Sequence, residues 1–386
     1  MKKLIAISVV FALVAGAVFA ADVSGEVFGK VTPLGSTTIS GDKVRATGEM
    51  KRVRVEVSGE DDNGVFGGYV RVDRSPYWLG AITDENYDDA DLHLPGDLAI
   101  ITGNAWWKPS EQFKFMLGGN GKDGFFGADG ITRWGFYQVA ADGVGVAQEN
   151  WRFSSSFYGG FDPLFSAILT ITPIEAVEVN IGIPFFDWTE TEDGANLMAD
   201  KFKKTNFQFA YTIDGTGKLA ITYAGDLMKG TAQPKVYGYF NLTAIENLGV
   251  DIGVGFKFPN EGGTSNPISA GVGVAYNAGE FGVKGRVQGT FGGEKEDPLE
   301  IDFDVLPYYA ISDTLTFLFD AGIYLGIPDQ GDSVLGWHIN PYIAVKSSWW
   351  APNFYAGIRI DNANGAKNGN DNYIQWSVPI GIAAHF

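Results

Sequence analysis

Charged residues recur at every second position in several segments of this chain, and apolar residues occupy the positions between them. Segments 52–56 and 300–304 are the clearest examples. Because alternate residues of an extended strand share one face, each segment gathers its charges on a single side. Charges grouped in this way attract and orient dissolved ions and dipoles, provided that water reaches that face.

The motifs of the common enzyme classes are missing from the sequence. The chain has no cysteine and three histidines, so thiol chemistry and a disulfide framework are excluded. It has no G-x-S-x-G, H-E-x-x-H or P-loop pattern. We therefore predict that the protein is not an enzyme and that it uses no metal or other cofactor.

The overall charge is strongly negative. The chain has 46 acidic residues against 28 Lys and Arg residues, and its formal net charge is −18. A nucleic-acid-binding protein needs a basic face for the phosphates, so we expect no nucleic acid as a partner.

The N-terminus has the pattern of an export signal. Lys2 and Lys3 precede an apolar run at 4–16, and a small-x-small tripeptide, Val-Phe-Ala, follows the run. The run is shorter than the ~20 residues of a spanning helix. We predict that residues 1–20 are a signal peptide and that 21–386 form the exported protein, as a single domain.

Strict alternation of apolar and polar residues runs through most of the exported part. Its clearest segment is 373–386, and the segments 299–311, 314–327 and 334–347 have the same pattern. These segments are longer than the 5–6 residues usual for strands in soluble proteins. A soluble sandwich would need a second sheet of equal size, whereas a closed barrel in lipid needs none. The sequence therefore predicts an all-β protein, a transmembrane antiparallel β-barrel of about 18 strands, or about 16.

Short and long connections alternate between the predicted strands. Short turns such as 61–64 carry a turn former and usually an acid, and longer stretches such as 186–202 are polar and rich in Gly, Asp and Asn. The longest connection, 120–163, is the third on the long-loop side. Outer-membrane barrels have short periplasmic turns and long outer loops.

Over the whole exported part the chain resembles a Gram-negative outer-membrane porin. The likeness is carried by the alternation of short turns and long loops, and by the terminal Phe386 with the alternating apolar positions before it, which include Ile382 and Trp376. This C-terminal pattern matches the insertion signal of that class. The resemblance implies a location in the cell outer membrane and contacts with its lipid. It also implies recognition of the C-terminal strand by the outer-membrane assembly machinery, and a homotrimer is possible.

In general porins the third outer loop folds inward and narrows the pore, and the resemblance extends this to 120–163. The alternative is an extra surface hairpin over 131–155. Candidate constriction residues in the loop are Asp123, Asp129, Arg133 and Trp134.

The charged positions alternate with apolar ones, so the two sets lie on opposite faces of each strand. We assign the charged face to the inside of the barrel, because a basic residue in the hydrocarbon costs about 2–4 kcal/mol at the midplane. The acidic run at 300–304 predicts a mild cation preference, unless Lys284 and Arg286 neutralise it. The predicted pore-lining residues are Arg52, Arg54, Glu56, Arg71, Asp73, Lys114, Lys284, Arg286, Glu300, Asp302, Asp304 and Arg359.

The function that follows is a passive diffusion channel for small hydrophilic solutes and ions. Two other functions fit the same pattern. One is a substrate-selective channel, for example for sugars, in which aromatic residues form a binding track. The other is a surface adhesin or structural barrel whose lumen is plugged.

Overall fold

The computed structural model describes somewhat more than half of the chain. The described residues are 20–36, 44–74, 99–118, 125, 166–184, 205–225, 234–258, 267–292, 299–327, 333–345, 354–362 and 374–385. All their regular secondary structure is β-strand. The predicted signal peptide lies outside them, apart from Ala20, where the first strand begins.

None of the described residues forms a helix long and apolar enough to cross a membrane.

Nineteen strands follow one another along the described part of the chain. The first ten are β1 (Ala20–Ser36), β2 (Val44–Glu60), β3 (Phe66–Arg74), β4 (Ala99–Ser110), β5 (Phe113–Gly118), β6 (Ser166–Ile174), β7 (Val177–Pro184), β8 (Asn206–Ile213), β9 (Gly217–Ala224) and β10 (Lys235–Leu242). The others are β11 (Leu248–Lys257), β12 (Ile268–Ala278), β13 (Phe281–Phe291), β14 (Leu299–Ala310), β15 (Leu315–Ile327), β16 (Val334–Val345), β17 (Phe354–Gly357), β18 (Arg359–Asp361) and β19 (Gln375–His385).

The strands form one antiparallel sheet that closes on itself. Strands adjacent in the sequence pair with each other along the sheet, and β1 pairs with β19, with Val27 opposite Ala384. β17 and β18 are interrupted at Ile358 and both lie between β16 and β19, so the two share one position in the ring. The predicted all-β transmembrane barrel is confirmed. The sequence pattern also predicts a single strand over 353–361, which the structure divides into β17 and β18.

The two faces of the strands differ in the way that the alternation predicts. On β8, Phe207 and Phe209 are 45% and 46% exposed, whereas Asn206 and Gln208 are 0% and 2% exposed. Exposed large apolar side chains recur at alternate positions on most other strands. An exterior of this kind is unfavourable in water and suits lipid.

The short connections are stabilised by local hydrogen bonds. Between β2 and β3, the Asp61 carboxylate accepts hydrogen bonds from the backbone N–H groups of Val65 (2.6 Å) and Phe66 (2.8 Å). Gly64 has a φ of +65°, which is favourable for glycine and costly for most other residues. The Asp-Asp-Asn-Gly sequence therefore folds as a tight turn and fixes the register of the hairpin.

Several inner-wall glycines make room for aromatic rings from adjacent strands. A Cβ atom at Gly381 of β19 would collide with the ring of Tyr355 on β17. Tyr355 is only 1% exposed, so its ring has no free space into which it can move. Because Gly381 has no side chain, the Tyr355 ring can lie directly against the backbone of β19.

Gly381→Ala is expected to destabilise the barrel by about 1–3 kcal/mol, because the added methyl group must displace the Tyr355 ring. The measurement is urea-induced unfolding of protein refolded into lipid vesicles. Gly238→Ala is the matched control, since a Cβ there comes no closer than 3.7 Å to a side-chain atom of Val254. Equal unfolding midpoints for the two variants would contradict the steric argument.

Candidate functional site

The candidate site is the inner face of the barrel, which is the side opposite the exposed apolar residues. Ten of the twelve predicted pore-lining residues have described side chains, and their positions alternate with that apolar set. These ten are Arg54, Glu56, Arg71, Lys114, Lys284, Arg286, Glu300, Asp302, Asp304 and Arg359. Arg52 lies in β2 and Asp73 in β3, but their side chains are outside the described part.

The part of the inner face on β2–β5 is mainly basic. Glu56 lies between two guanidinium groups, 4.0 Å from Arg54 and 3.9 Å from Arg71. The Lys114 ammonium lies 5.1 Å from the centre of the Trp106 ring, in cation–π geometry. The described side chains of Arg54, Glu56, Arg71 and Lys114 together have a net positive charge.

The sector on β6–β9 is dominated by amide and hydroxyl groups. Thr170 donates a hydrogen bond to Asn180 (2.6 Å). The Asn180 amide donates to Gln208 (3.3 Å), and the Gln208 amide donates to Thr222 (2.8 Å). These bonds form a ladder across four strands. Cross-strand pairs of this kind stabilise a sheet, and sequence reasoning missed the ladder because none of its members is charged.

The same sector contains an ion pair that is linked to this ladder at Asn180. The Lys218 ammonium lies 3.3 Å from a Glu178 carboxylate oxygen, and Glu178 also accepts a hydrogen bond from Asn180 (2.6 Å). Both charged residues lie at inward positions, and their signs offset each other.

A third sector, on β13–β18, holds buried charges of both signs. We call it the acid-rich cluster, and its members are Arg286, Asp302, Asp304, Asp320, His338, Arg359 and Asp361. Among the described residues, no three His, Asp or Glu side chains are arranged to hold a metal ion.

Arg286 binds two carboxylates within the acid-rich cluster. Its Nη2 group lies 3.1 Å from Asp302 Oδ2, and its Nε group donates to Asp304 Oδ2 at 3.1 Å. All three residues are at most 1% exposed. The acidic run at 300–304 is therefore neutralised in part by the adjacent strand, which is the alternative that the sequence left open. Glu300, the remaining acid of the run, accepts a hydrogen bond from the Tyr324 hydroxyl at 3.4 Å.

The other half of the acid-rich cluster lies on β15–β18. His338 Nε2 is 3.2 Å from Asp320 Oδ1, and Arg359 Nε donates to Asp361 Oδ2 at 2.9 Å. The sequence marked Arg359 as a candidate and did not mark His338. Its signal was weak, because a single histidine at an inward position looks like any other polar residue until its strand neighbours are known.

Some buried polar atoms of the inner face have no hydrogen-bond partner among the described residues. They include Asp304 Oδ1, Asp320 Oδ2, Asn340 Oδ1 and both amide atoms of Gln288. In a dry protein core such atoms would be costly. Here they lie at inward positions of the wall, among other polar side chains.

A small apolar cluster also lies on the inner face, and one member comes from the long third connection. Phe125 is 3% exposed and packs with Met116, Ile168 and Tyr237, which come from β5, β6 and β10. An atom added at Gly182 of β7 would lie 3.5 Å from the Phe125 ring. The predicted constriction residues Asp123, Asp129, Arg133 and Trp134 are outside the described residues.

The C-terminal strand carries the described part of the predicted insertion signal. Ile382 is 62% exposed on the outer face, and Trp376 is partly exposed at an alternate position on the same strand. Phe386 lies outside the described residues. Near the short turns, Trp107 and Tyr309 are exposed at 46% and 48%, which is the placement typical of an interfacial aromatic belt.

Comparison with known proteins shows a likeness in structure. No family model matches the sequence, and no curated protein matches it. OmpT of Vibrio cholerae, an outer-membrane protein folded in vitro, matches with a TM-score of 0.53 and 14% identity, over 95% of this chain and 97% of that one. The anion-selective porin from Comamonas acidovorans matches with a TM-score of 0.54 and 13% identity, over 95% and 99%. At this identity the likeness shows the fold, which this chain shares with an outer-membrane porin.

Proposed function

We propose that the protein is an outer-membrane porin, a passive diffusion channel for small hydrophilic solutes and ions. The observation that carries the proposal is the closed ring of strands with apolar side chains outside and polar, charged side chains inside. Lipid covers such an exterior, and the inner charges need water. A closed ring with a wet interior gives dissolved molecules a path across the membrane.

The proposal includes the orientation and partners of the barrel. Its short turns face the periplasm and its long connections face outward, as in outer-membrane barrels generally. The exported chain reaches the membrane through its signal peptide, and the assembly machinery recognises the C-terminal strand. The exposed position of Ile382 on that strand supports this part of the proposal.

The third connection is proposed to enter the barrel and narrow it. Phe125 supports this, because its side chain is buried against Met116 and Ile168 on the inner face. An apolar contact of this kind attaches the beginning of the loop to the wall. Asp129 and Arg133 follow Phe125 in the loop and would then approach the water-filled space. Asp123 precedes Phe125.

The distribution of charge favours a mild preference for cations. Basic and acidic side chains occur on the described inner face in nearly equal numbers, so the wall as a whole gives no strong selectivity. The signs are separated, however: β2–β5 are mainly basic, whereas the acid-rich cluster has four carboxylates and two guanidinium groups. A path that follows the acid-rich cluster attracts cations.

Refolded protein is expected to insert into planar lipid bilayers and to conduct, because water must reach the charged inner face. The measurement is single-channel conductance at several salt concentrations, and we expect it to rise with salt without saturating. A saturable current that a sugar blocks would favour the substrate-selective channel. A protein that inserts and carries no current would contradict the porin proposal and favour a plugged barrel.

Arg286→Gln is expected to raise the permeability ratio of K⁺ to Cl⁻ by about twofold, because it removes a positive charge next to Asp302 and Asp304. The measurement is the reversal potential in a salt gradient. Lys108→Gln is the matched control, since Lys108 pairs with the exposed Glu111 at a short turn (2.7 Å). A buried ion pair that loses one partner is destabilised by about 3–5 kcal/mol, so the folded state of each variant is checked first. The same ratio in both variants would contradict a role for the acid-rich cluster in selectivity.

Phe125→Ala is expected to increase the single-channel conductance or its fluctuations, because the third connection loses its apolar contact with the wall. Phe115→Ala is the control, since Phe115 is 38% exposed on the outer face. Unchanged conductance and unchanged noise in the Phe125 variant would count against a narrowing role for this connection.

A further inference from the structure

Four members of the acid-rich cluster and one glycine form a continuous row across five strands. The register places Arg286 (β13) opposite Asp304 (β14), and Asp304 opposite Gly322 (β15). Gly322 is in turn opposite His338 (β16), and His338 is opposite Asp361 (β18). Four of these five positions carry an ionisable side chain. The fifth is a glycine at the centre of the row.

Gly322 allows the side chains of Asp304 and His338 to meet. A Cβ atom at this position would collide with Asp304 Oδ1 and would lie 2.5 Å from His338 Cε1 and 3.1 Å from His338 Nδ1. The space that a larger residue would fill is therefore occupied jointly by a carboxylate oxygen and an imidazole ring. Asp304 Oδ1 has no hydrogen-bond partner among the described residues.

The opposite side of the imidazole faces a second carboxylate. His338 Nε2 lies 3.2 Å from Asp320 Oδ1, while Asp320 Oδ2 has no partner within the described part of the chain. His338 is 5% exposed, and both aspartates are 1% exposed. An imidazole between two carboxylates can hold a proton on each ring nitrogen, with Nε2–H directed to Asp320 and Nδ1–H on the side of Asp304.

Charged groups face His338 from every described strand packed around it. β14 contributes Asp304, β15 contributes Asp320, and β18 contributes Arg359. Asp361 of β18 lies opposite His338 in the register, and Arg286 of β13 reaches the group through Asp304. On β16 itself the nearby polar residues are Asn340 and Tyr342.

The proton on His338 therefore changes the charge of the whole cluster. With a neutral imidazole, four carboxylates and two guanidinium groups leave two negative charges. With an imidazolium, one negative charge remains. Histidine ordinarily exchanges this proton between about pH 5 and pH 8, a range in which Asp and Arg side chains ordinarily keep their charge.

We propose that His338 is a specificity-determining residue whose protonation weakens the cation preference of the channel. The inference rests on the proposed porin function. Deprotonation at higher pH leaves the acid-rich cluster more negative, so cations are attracted more strongly. Protonation of His338 at lower pH adds one positive charge, which offsets one carboxylate of the cluster and weakens the attraction of cations.

The test is the permeability ratio of K⁺ to Cl⁻ in planar bilayers at about pH 8 and about pH 5.5. Wild-type protein is expected to show a ratio about twofold lower at the acidic pH, because the imidazolium adds one positive charge to the acid-rich cluster. His338→Gln cannot gain the charge and is expected to keep one ratio at both pH values. His93→Gln, the same substitution at a histidine of the long connection after β3, is expected to behave as wild type.

Each outcome decides a separate question. A wild-type permeability ratio that is equal at the two pH values overturns the role of His338 and leaves the porin function standing. The same conclusion follows if the ratio of the His338→Gln variant changes with pH as much as that of the wild type. Absence of current in all three proteins overturns the porin function, and the role of His338 with it.

A second measurement covers a His338→Gln variant that does not fold. The variant with His93→Gln and His385→Gln keeps His338 as its single histidine, so one imidazole signal appears in the NMR spectrum of the refolded protein. A shift of that signal between the same two pH values supports the proposal. A constant signal overturns it.

Discussion

The whole structure depends on the closure of a single sheet. Every peptide group that crosses the hydrocarbon must find a hydrogen-bond partner within the protein, because lipid offers none. An open sheet would leave unpaired N–H and C=O groups on its two edge strands. Here β1 and β19 pair with each other, from Glu26 opposite His385 to Gly35 opposite Ser377, so the ring has no edge among its described strands.

Closure also determines where the charged residues lie. Once the ring is closed, each strand has one side in lipid and one side facing the interior, and the period of two assigns every residue to one of them. The inner face then receives many charges in a limited space. The structure accommodates them in pairs and ladders, such as Arg286 with Asp302 and Asp304, and Gln208 with Asn180 and Thr222. The strands that hold the wall together thereby also shape the electric field inside it.

Small residues have a specific part in this arrangement. Gly381 admits the Tyr355 ring against the wall, and Gly322 admits Asp304 and His338 to the same space. In both places the glycine lies opposite a large inner side chain on the neighbouring strand. Glycines on the inner face therefore decide where large side chains can lie against the wall. At Gly322 the result is that a carboxylate and an imidazole come together.

The sequence by itself determined the fold class and indicated which residues of a strand share one face, because apolar alternation is a local property with a period of two. It predicted β14, β15 and β16 to within two residues at each end, and it placed Arg286, Asp302 and Asp304 on one side. It missed the break at Ile358 and the pairing of His338. Which residues of paired strands lie opposite each other depends on register, and register is decided by all the turns and by ring closure together. Only the tertiary structure therefore decided that Asp304, Gly322, His338 and Asp361 share one row. The reason is that no local sequence pattern specifies which backbone groups of two strands form hydrogen bonds with each other.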